Sequence, residues 1–238
     1  FYGVIDNDNL VVIGWVPEDM SEMGIILHNY GTIRNLQVKI NYDFDLTGLD
    51  GHTVGGIVCY NEKEGVIEKC SVTMLRASYL DFMSNVGGIV GVNKGTIRNC
   101  LAAADVTTYG TFGVIVGVNY GSIEDSCGIG NIIQKVKKYE GCYELSQVGG
   151  IAGINETGGT ISNCVGGTLD DSYLRVVIDV AYVDDEALAP YSGPIAGKNN
   201  GEISGCSNYG YAIDTGNLHS WWAWFHTYDQ LKNINNIV

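Results

Sequence analysis

Short runs of β-branched residues, broken by glycine and closed by a polar turn, return in the same order along most of this chain. The fullest copy is Val86-Gly-Gly-Ile-Val-Gly-Val-Asn-Lys-Gly-Thr-Ile-Arg-Asn-Cys100. Others run from Gly113 to Cys127, Gly149 to Cys164 and Gly193 to Cys206, with weaker copies from Gly55 to Cys70 and Gly24 to Leu36. Each reads as strand, turn, strand: Ile-Val-Gly-Val and Thr-Ile-x-Asn-Cys are strand formers, and Asn-x-Gly between them is turn chemistry. Such a turn is expected to use positive φ, which Gly and Asn tolerate best.

Aligned on their asparagines, the copies give Asn29, Asn61, Asn93, Asn119, Asn155 and Asn199, at steps of 32, 32, 26, 36 and 44 residues by subtraction. Self-similarity at such periods means stacked units that bury their apolar faces against each other. The unequal steps place the variation on a third side of each coil. The expected fold is all-β: a single-domain parallel β-helix of about six to seven coils over residues 1–212, with an opening coil at 1–23. Residues 213–238 break the pattern. Trp221, Trp224, Tyr228 and Leu231 there are spaced roughly as one helical face, which predicts a C-terminal aromatic cap, either a capping helix or a compact flap.

Stacking makes two columns. The asparagines would lie about 4.8 Å apart, each amide able to bond to the next. Three residues beyond the second-strand isoleucine stand Leu36, Cys70, Cys100, Ser126, Cys164 and Cys206, an inward column of small side chains. These thiols are expected to be free packing atoms, although seven cysteines in an extracellular protein would ordinarily suggest disulfides. Cys59, Cys127 and Cys142 lie off the column and receive no pairing.

At these residues the chain resembles the GLUG-motif repeats of bacterial surface and secreted proteins, named for a Gly-apolar-apolar-Gly tetrad. Gly88-Ile-Val-Gly91 and Gly150-Ile-Ala-Gly153 fit it, whereas Val114 and Pro194 replace the first glycine and Cys59 and Leu27 the last in other copies. The resemblance covers most of residues 1–212. It implies a solenoid that forms part of a larger adhesin or of a multidomain secreted protein. It brings no catalytic motif: the His-Glu-x-x-His of zinc proteases found beside some such repeats is missing from this sequence.

Composition narrows the classes. The formal charge of −14 repels nucleic acid and anionic lipid. No run is long enough to span a membrane, so neither a nucleic-acid partner nor membrane insertion is expected. The acidic surface suits a secreted or cell-surface bacterial protein, and free thiols suit an anaerobic source. The chain starts inside a motif at Phe1 without a signal peptide, so it is expected to be a segment of a larger multimodular protein.

The variable stretches share one property: each holds at least two aromatic residues, mostly Tyr. Tyr has an apolar face and a hydroxyl that needs a partner, which suits a wet binding surface. A coil step of about 4.8 Å is close to one sugar of an extended β-linked glucan. Tyr109, Phe112, Tyr139, Tyr143, Tyr173 and Tyr182 on the central coils, with Trp222 in the last segment, are therefore the candidate ligand-binding residues. A polysaccharide or a host or plant glycan is the expected partner. The bland alternative makes the same rings local packing.

No catalytic or metal residue is assigned and no cofactor is required. Asp43, Asp45, Asp170, Asp171, Asp184, Asp185 and Glu186 also gather in the variable stretches, where calcium ligation, sugar hydroxyl acceptance and a solvated face are all readings. Three function classes stay open: a non-catalytic carbohydrate-binding or adhesion module, a structural stalk or protein-binding repeat, and a β-helical glycoside hydrolase or lyase. Lyase chemistry on acidic sugars is disfavoured by having only 13 Lys and Arg.

Overall fold

A computed structural model describes residues 1–7, 10–13, 21–40, 51–80, 84–136, 138–139, 142–143, 146–167, 176–182, 191–209 and 211–214. Among these residues there are strands and turns and no helix. The strands stack in parallel into four sheets, one per side of the coil, which is a parallel β-helix. Each coil therefore has four sides, one more than the sequence suggests. The extra side arises because the Gly-Gly-Ile of the motif bends the chain sharply between two short strands.

Side one holds Glu22–Met23, Thr53–Gly55, Asn85–Gly87, Thr111–Gly113, Gln147–Gly149 and Tyr191–Gly193. Side two holds Ile26–Asn29, Val58–Asn61, Val90–Asn93, Val116–Asn119, Ala152–Asn155 and Ala196–Asn199. The x-Ile-x strands from Val4–Asp6 to Glu202–Ser204 make the seven-stranded side three. Side four is irregular. Its strands include Gln37–Ile40, Ser71–Leu80, Leu101–Thr108, Cys127–Val136 and Val176–Tyr182.

The core is built of columns in strict register. Ile33, Ile67, Ile97, Ile123 and Ile161 pair in sequence along side three, all fully buried. Ile57, Ile89, Ile115 and Ile151 fill the bend between sides one and two. Sides one and two also meet backbone to backbone. A Cβ on Gly87 would fall on the carbonyl of Val90 and close to the backbone of Gly117 in the next coil, so only glycine permits this packing.

The asparagine column forms as expected. Asn29 Nδ2 donates to Asn61 Oδ1, and the same bond runs from Asn61 to Asn93, Asn119, Asn155 and Asn199, at 2.8 Å each time. Each Nδ2 also donates to the glycine carbonyl that closes its own turn, as from Asn93 to Gly95 at 3.2 Å. Five of the six asparagines are fully buried, and Asn199 at the end is exposed. A buried amide with every donor and acceptor paired avoids the desolvation cost of an unmade bond.

The expected positive φ lies one corner further on. It falls at Asn35, Lys69, Asn99, Asp125, Asn163 and Gly205, each just before the small-residue column, and not at the glycines that close the Asn-x-Gly turns. Those glycines are required by space. A Cβ on Gly95 would land on the carbonyls of Gly65 and Glu62. The small-residue column is inward, with Leu36, Cys70, Cys100, Ser126 and Cys164 buried. Cys59, Cys70, Cys100, Cys127, Cys164 and Cys206 are all free thiols.

Candidate functional site

Three of the four sides are committed to holding the stack together. Outward on side three, register places Asp6, Arg34, Glu68, Arg98 and Glu124 in one column of alternating charge. Arg34 Nε reaches Asp6 at 2.7 Å and an Arg98 Nη reaches Glu68 at 2.7 Å. Beside the Asn turns, Glu62 lies 3.0 Å from His28 Nδ1 and 3.1 Å from Lys94 Nζ. Hydrophobic patterning shows neither column, although aligning the copies on asparagine exposes both.

Aromatic rings at equivalent positions of successive coils stack on each other. Tyr2 lies on Tyr30 with centroids 4.7 Å apart, and His28 on Tyr60 at 5.0 Å. Rings at this separation leave no room for a sugar between them, so such a column presents edges to solvent. On these sides Tyr2 and Tyr120 are the exposed tyrosines, at 81% and 49%.

Side four carries most of the candidate ligand-binding residues that fall within the described strands and turns. Thr108 pairs with Gln134, and Val136 pairs with Tyr182. Tyr109 follows Thr108, so it stands level with Lys135 and one step before Tyr182. Lys138–Tyr139 and Cys142–Tyr143 form an antiparallel hairpin immediately beyond Val136. Register thus sets Tyr109 and Tyr182 at the exit end of side four, while Tyr139 and Tyr143 lie in the separate hairpin that follows Val136 in sequence. Tyr109 is half-buried. Tyr173 and Trp222 lie outside the described residues, as do the acidic residues Asp43, Asp45, Asp170, Asp171, Asp184, Asp185 and Glu186 and the expected aromatic cap at 213–238, except Ile213 and Asp214, which end the strand Tyr211–Asp214 of side four.

Phe112 is a correction. It is fully buried in the core cluster, paired between Val86 and Val148 on side one, and offers no ring face to a ligand. It follows Tyr109 closely in sequence, but the chain turns at Gly110 and enters side one, where alternation puts residue 112 inside.

Beneath the side-four exit lies a buried polar layer that hydrophobicity patterning could not reveal. Gln134 Nε2 donates to Ser146 Oγ at 2.7 Å and to Ser146 O at 3.0 Å, and Ser192 Oγ donates to Gln134 Oε1. Thr108 Oγ1 accepts from Gly110 N at 3.1 Å. The Gln134 bonds tie the end of side four to the start of side one across two coils, and Thr108 closes the equivalent turn of the coil before. The layer therefore fixes the backbone on which Tyr109 stands, as a binding constellation requires of its supporting shell.

The ionisable groups here favour pairing over acid chemistry. Hydrogen bonds from Asn35 and Arg34 hold the Asp6 carboxyl below its ordinary value. Burial pushes Glu62 up, but its bonds to His28 and Lys94 outweigh that and bring it below its usual range. A glycosidase general acid needs the opposite shift. Burial raises the Cys59 thiol to about 12, and it donates to Thr53 O at 3.1 Å. Among the described residues no cluster of three or more His, Cys, Asp or Glu converges as a metal site.

Among known proteins, the family model of the GLUG motif matches residues 50–77 and 144–165. No curated protein and no solved structure matches the chain. Residues 50–77 carry the Thr53–Asn61 bend and its following strands, and residues 144–165 carry the equivalent bend at Gln147–Asn155. The chain carries the GLUG motif in these two stretches, and the glycines, asparagines and isoleucines within them close the corresponding coils of the β-helix.

Proposed function

We propose that the domain is a non-catalytic carbohydrate-binding or adhesion module of a secreted or cell-surface bacterial protein, holding an extended polysaccharide along the exit edge of side four. The observation that supports this reading is the register that sets Tyr109 and Tyr182 at the exit end of side four, with the Tyr139 and Tyr143 hairpin following Val136 in the chain between them. The coil step of about 4.8 Å matches the rise of consecutive sugars in an extended β-linked chain, so one aromatic contact per coil would follow the polymer. The buried Gln134, Ser146 and Ser192 layer supports it by keeping that edge rigid. No cofactor is needed for such binding.

Native gels containing xyloglucan, β-glucan, xylan, pectin or mucin test the reading. Retardation in one gel supports a glycan module. Unretarded migration in all of them rejects it in favour of a stalk. A stalk or protein-binding repeat is the second reading, favoured by Tyr2 on Tyr30 and His28 on Tyr60, where the rings spend their faces on each other.

A further inference from the structure

The small-residue column contains two pairs of neighbouring cysteines with the same local geometry and different access. Cys70 and Cys100 are 2% and 3% exposed. Cys100 is held from both sides, since its own N–H donates to Ser126 Oγ in the following coil at 3.1 Å. Cys164 and Cys206 form the second pair. Ile161 pairs with Ile203, Ser162 with Ser204 and Val165 with Ser207, which sets the two cysteines level on adjacent coils. Cys164 N–H donates to Cys206 Sγ at 3.4 Å. Cys164 is fully buried, whereas Cys206 lies on the last strand pair of its sheets and is half-exposed.

We propose that Cys206 and Cys164 are a peroxide-reactive thiol pair whose oxidation to a disulfide clips the last coil to the one before it. Adjacent coils hold Cα atoms about 4.8 Å apart, inside the range of roughly 4.4–6.8 Å that disulfides span. A flat parallel ladder points both Cβ atoms the same way, so one backbone must shift to close the bridge. Cys206 can shift, because among the described residues Ser207–Asn208 and Glu202–Ser204 have a neighbouring strand on one side only. Cys100 lies between two paired coils and cannot.

The chemistry favours the same cysteine. The thiol hydrogen bond from Cys164, and its backbone N–H, lower Cys206 to about 7, whereas the bond to Cys206 and burial push Cys164 well up. An accessible, low-pKa thiol beside a second cysteine is the arrangement of a peroxidatic and resolving pair. The Cys206 thiolate attacks one oxygen of the peroxide and breaks the O–O bond. This gives a sulfenic acid, and the departing hydroxide takes up a proton as water. Cys164 sulfur then attacks Cys206 sulfur and displaces hydroxide, which leaves as water with the Cys164 proton. The sulfur pair loses two electrons and the peroxide gains them.

The test treats the reduced whole chain with hydrogen peroxide, quenches by alkylation and maps the peptides. The expected product links Cys164 to Cys206, and Cys206 loses its free thiol at least about tenfold faster than Cys100. Cys164→Ser should stop at a sulfenic acid on Cys206 that a dimedone probe traps, and Cys206→Ser should abolish the link. A Cys206 that stays reduced, or a Cys70–Cys100 link formed at the same rate, would overturn the proposal. Both readouts come from the unmutated chain, so they do not depend on the variants folding.

Discussion

Sides one to three and side four use the same repeat in opposite ways. On the first three, strands keep to three or four residues in the inner coils, and three core columns repeat one residue type from coil to coil: asparagine on asparagine, isoleucine on isoleucine, glycine on glycine. Side four varies from two to ten residues, and its columns mix. Identical neighbours satisfy one another and leave little chemistry for a ligand. Mixed neighbours leave positions free to be chosen for something other than stacking. In this chain stacking is uniform in the core columns of three sides and varied on the fourth.

The largest expected effect is on the uniform sides. Phe112→Ala should cost about 3–5 kcal/mol, because a fully buried ring would leave a cavity in a core clamped by paired strands. Chemical denaturation would measure it, and glycan retention by the folded fraction should persist. Asn93→Ala should come next, at about 2–5 kcal/mol, since it strands the Asn61 donor and the Asn119 acceptor inside the column. Asn199→Ala at the exposed end should cost under about 1 kcal/mol by the same measurement. Equal losses for the two asparagines would mean that the ladder is not the device that closes the coils.

Smaller effects are expected at the surface. Glu68→Gln removes the partner of a half-exposed Arg98 and should cost about 0.5 kcal/mol or less, vanishing in high salt. The acid limb should respond least. The Glu62 carboxyl is depressed in the folded chain, so its contribution is present above the unfolded value of about 4.3 and is lost as pH falls through the lower folded one. Glu62→Gln should therefore lower the melting temperature at neutral pH slightly and flatten its fall within that window, leaving the slope above the window unchanged. In alkylation against pH, Cys206 should gain reactivity through about 7, well before Cys127, which burial raises.

The repeating sides are legible in the sequence because a column repeats its residue type. Asn29 to Asn199 and Leu36 to Cys206 can be aligned with no structure. What escapes is anything that depends on the corner between sides. The positive φ falls at the residue before each small-column position and, in the Asn-x-Gly turns, only at Gly158 of the longer Asn155–Gly159 turn, since close backbone packing can demand glycine as strongly as dihedral freedom does. Phe112 escapes for a related reason: Tyr109 and Phe112 are near in sequence, and only the turn at Gly110 separates a loop from the core. The Gln134 layer is invisible because patterning treats an isolated polar residue in a strand as outward-facing, whereas this one is buried among hydroxyls.

The division between stabilising and binding sides meets its most direct test in one experiment with two triple variants. Tyr109→Ala, Tyr143→Ala and Tyr182→Ala would be combined on side four, and Tyr2→Ala, Tyr30→Ala and Tyr120→Ala on the other sides. Retardation in xyloglucan, β-glucan, xylan, pectin and mucin gels would then be measured for both variants and the unmutated chain, alongside the melting temperature. The account predicts that the side-four variant migrates freely at an unchanged melting temperature, while the second variant is retarded as before. Retained retardation in the side-four variant, or its loss in the other, would contradict it.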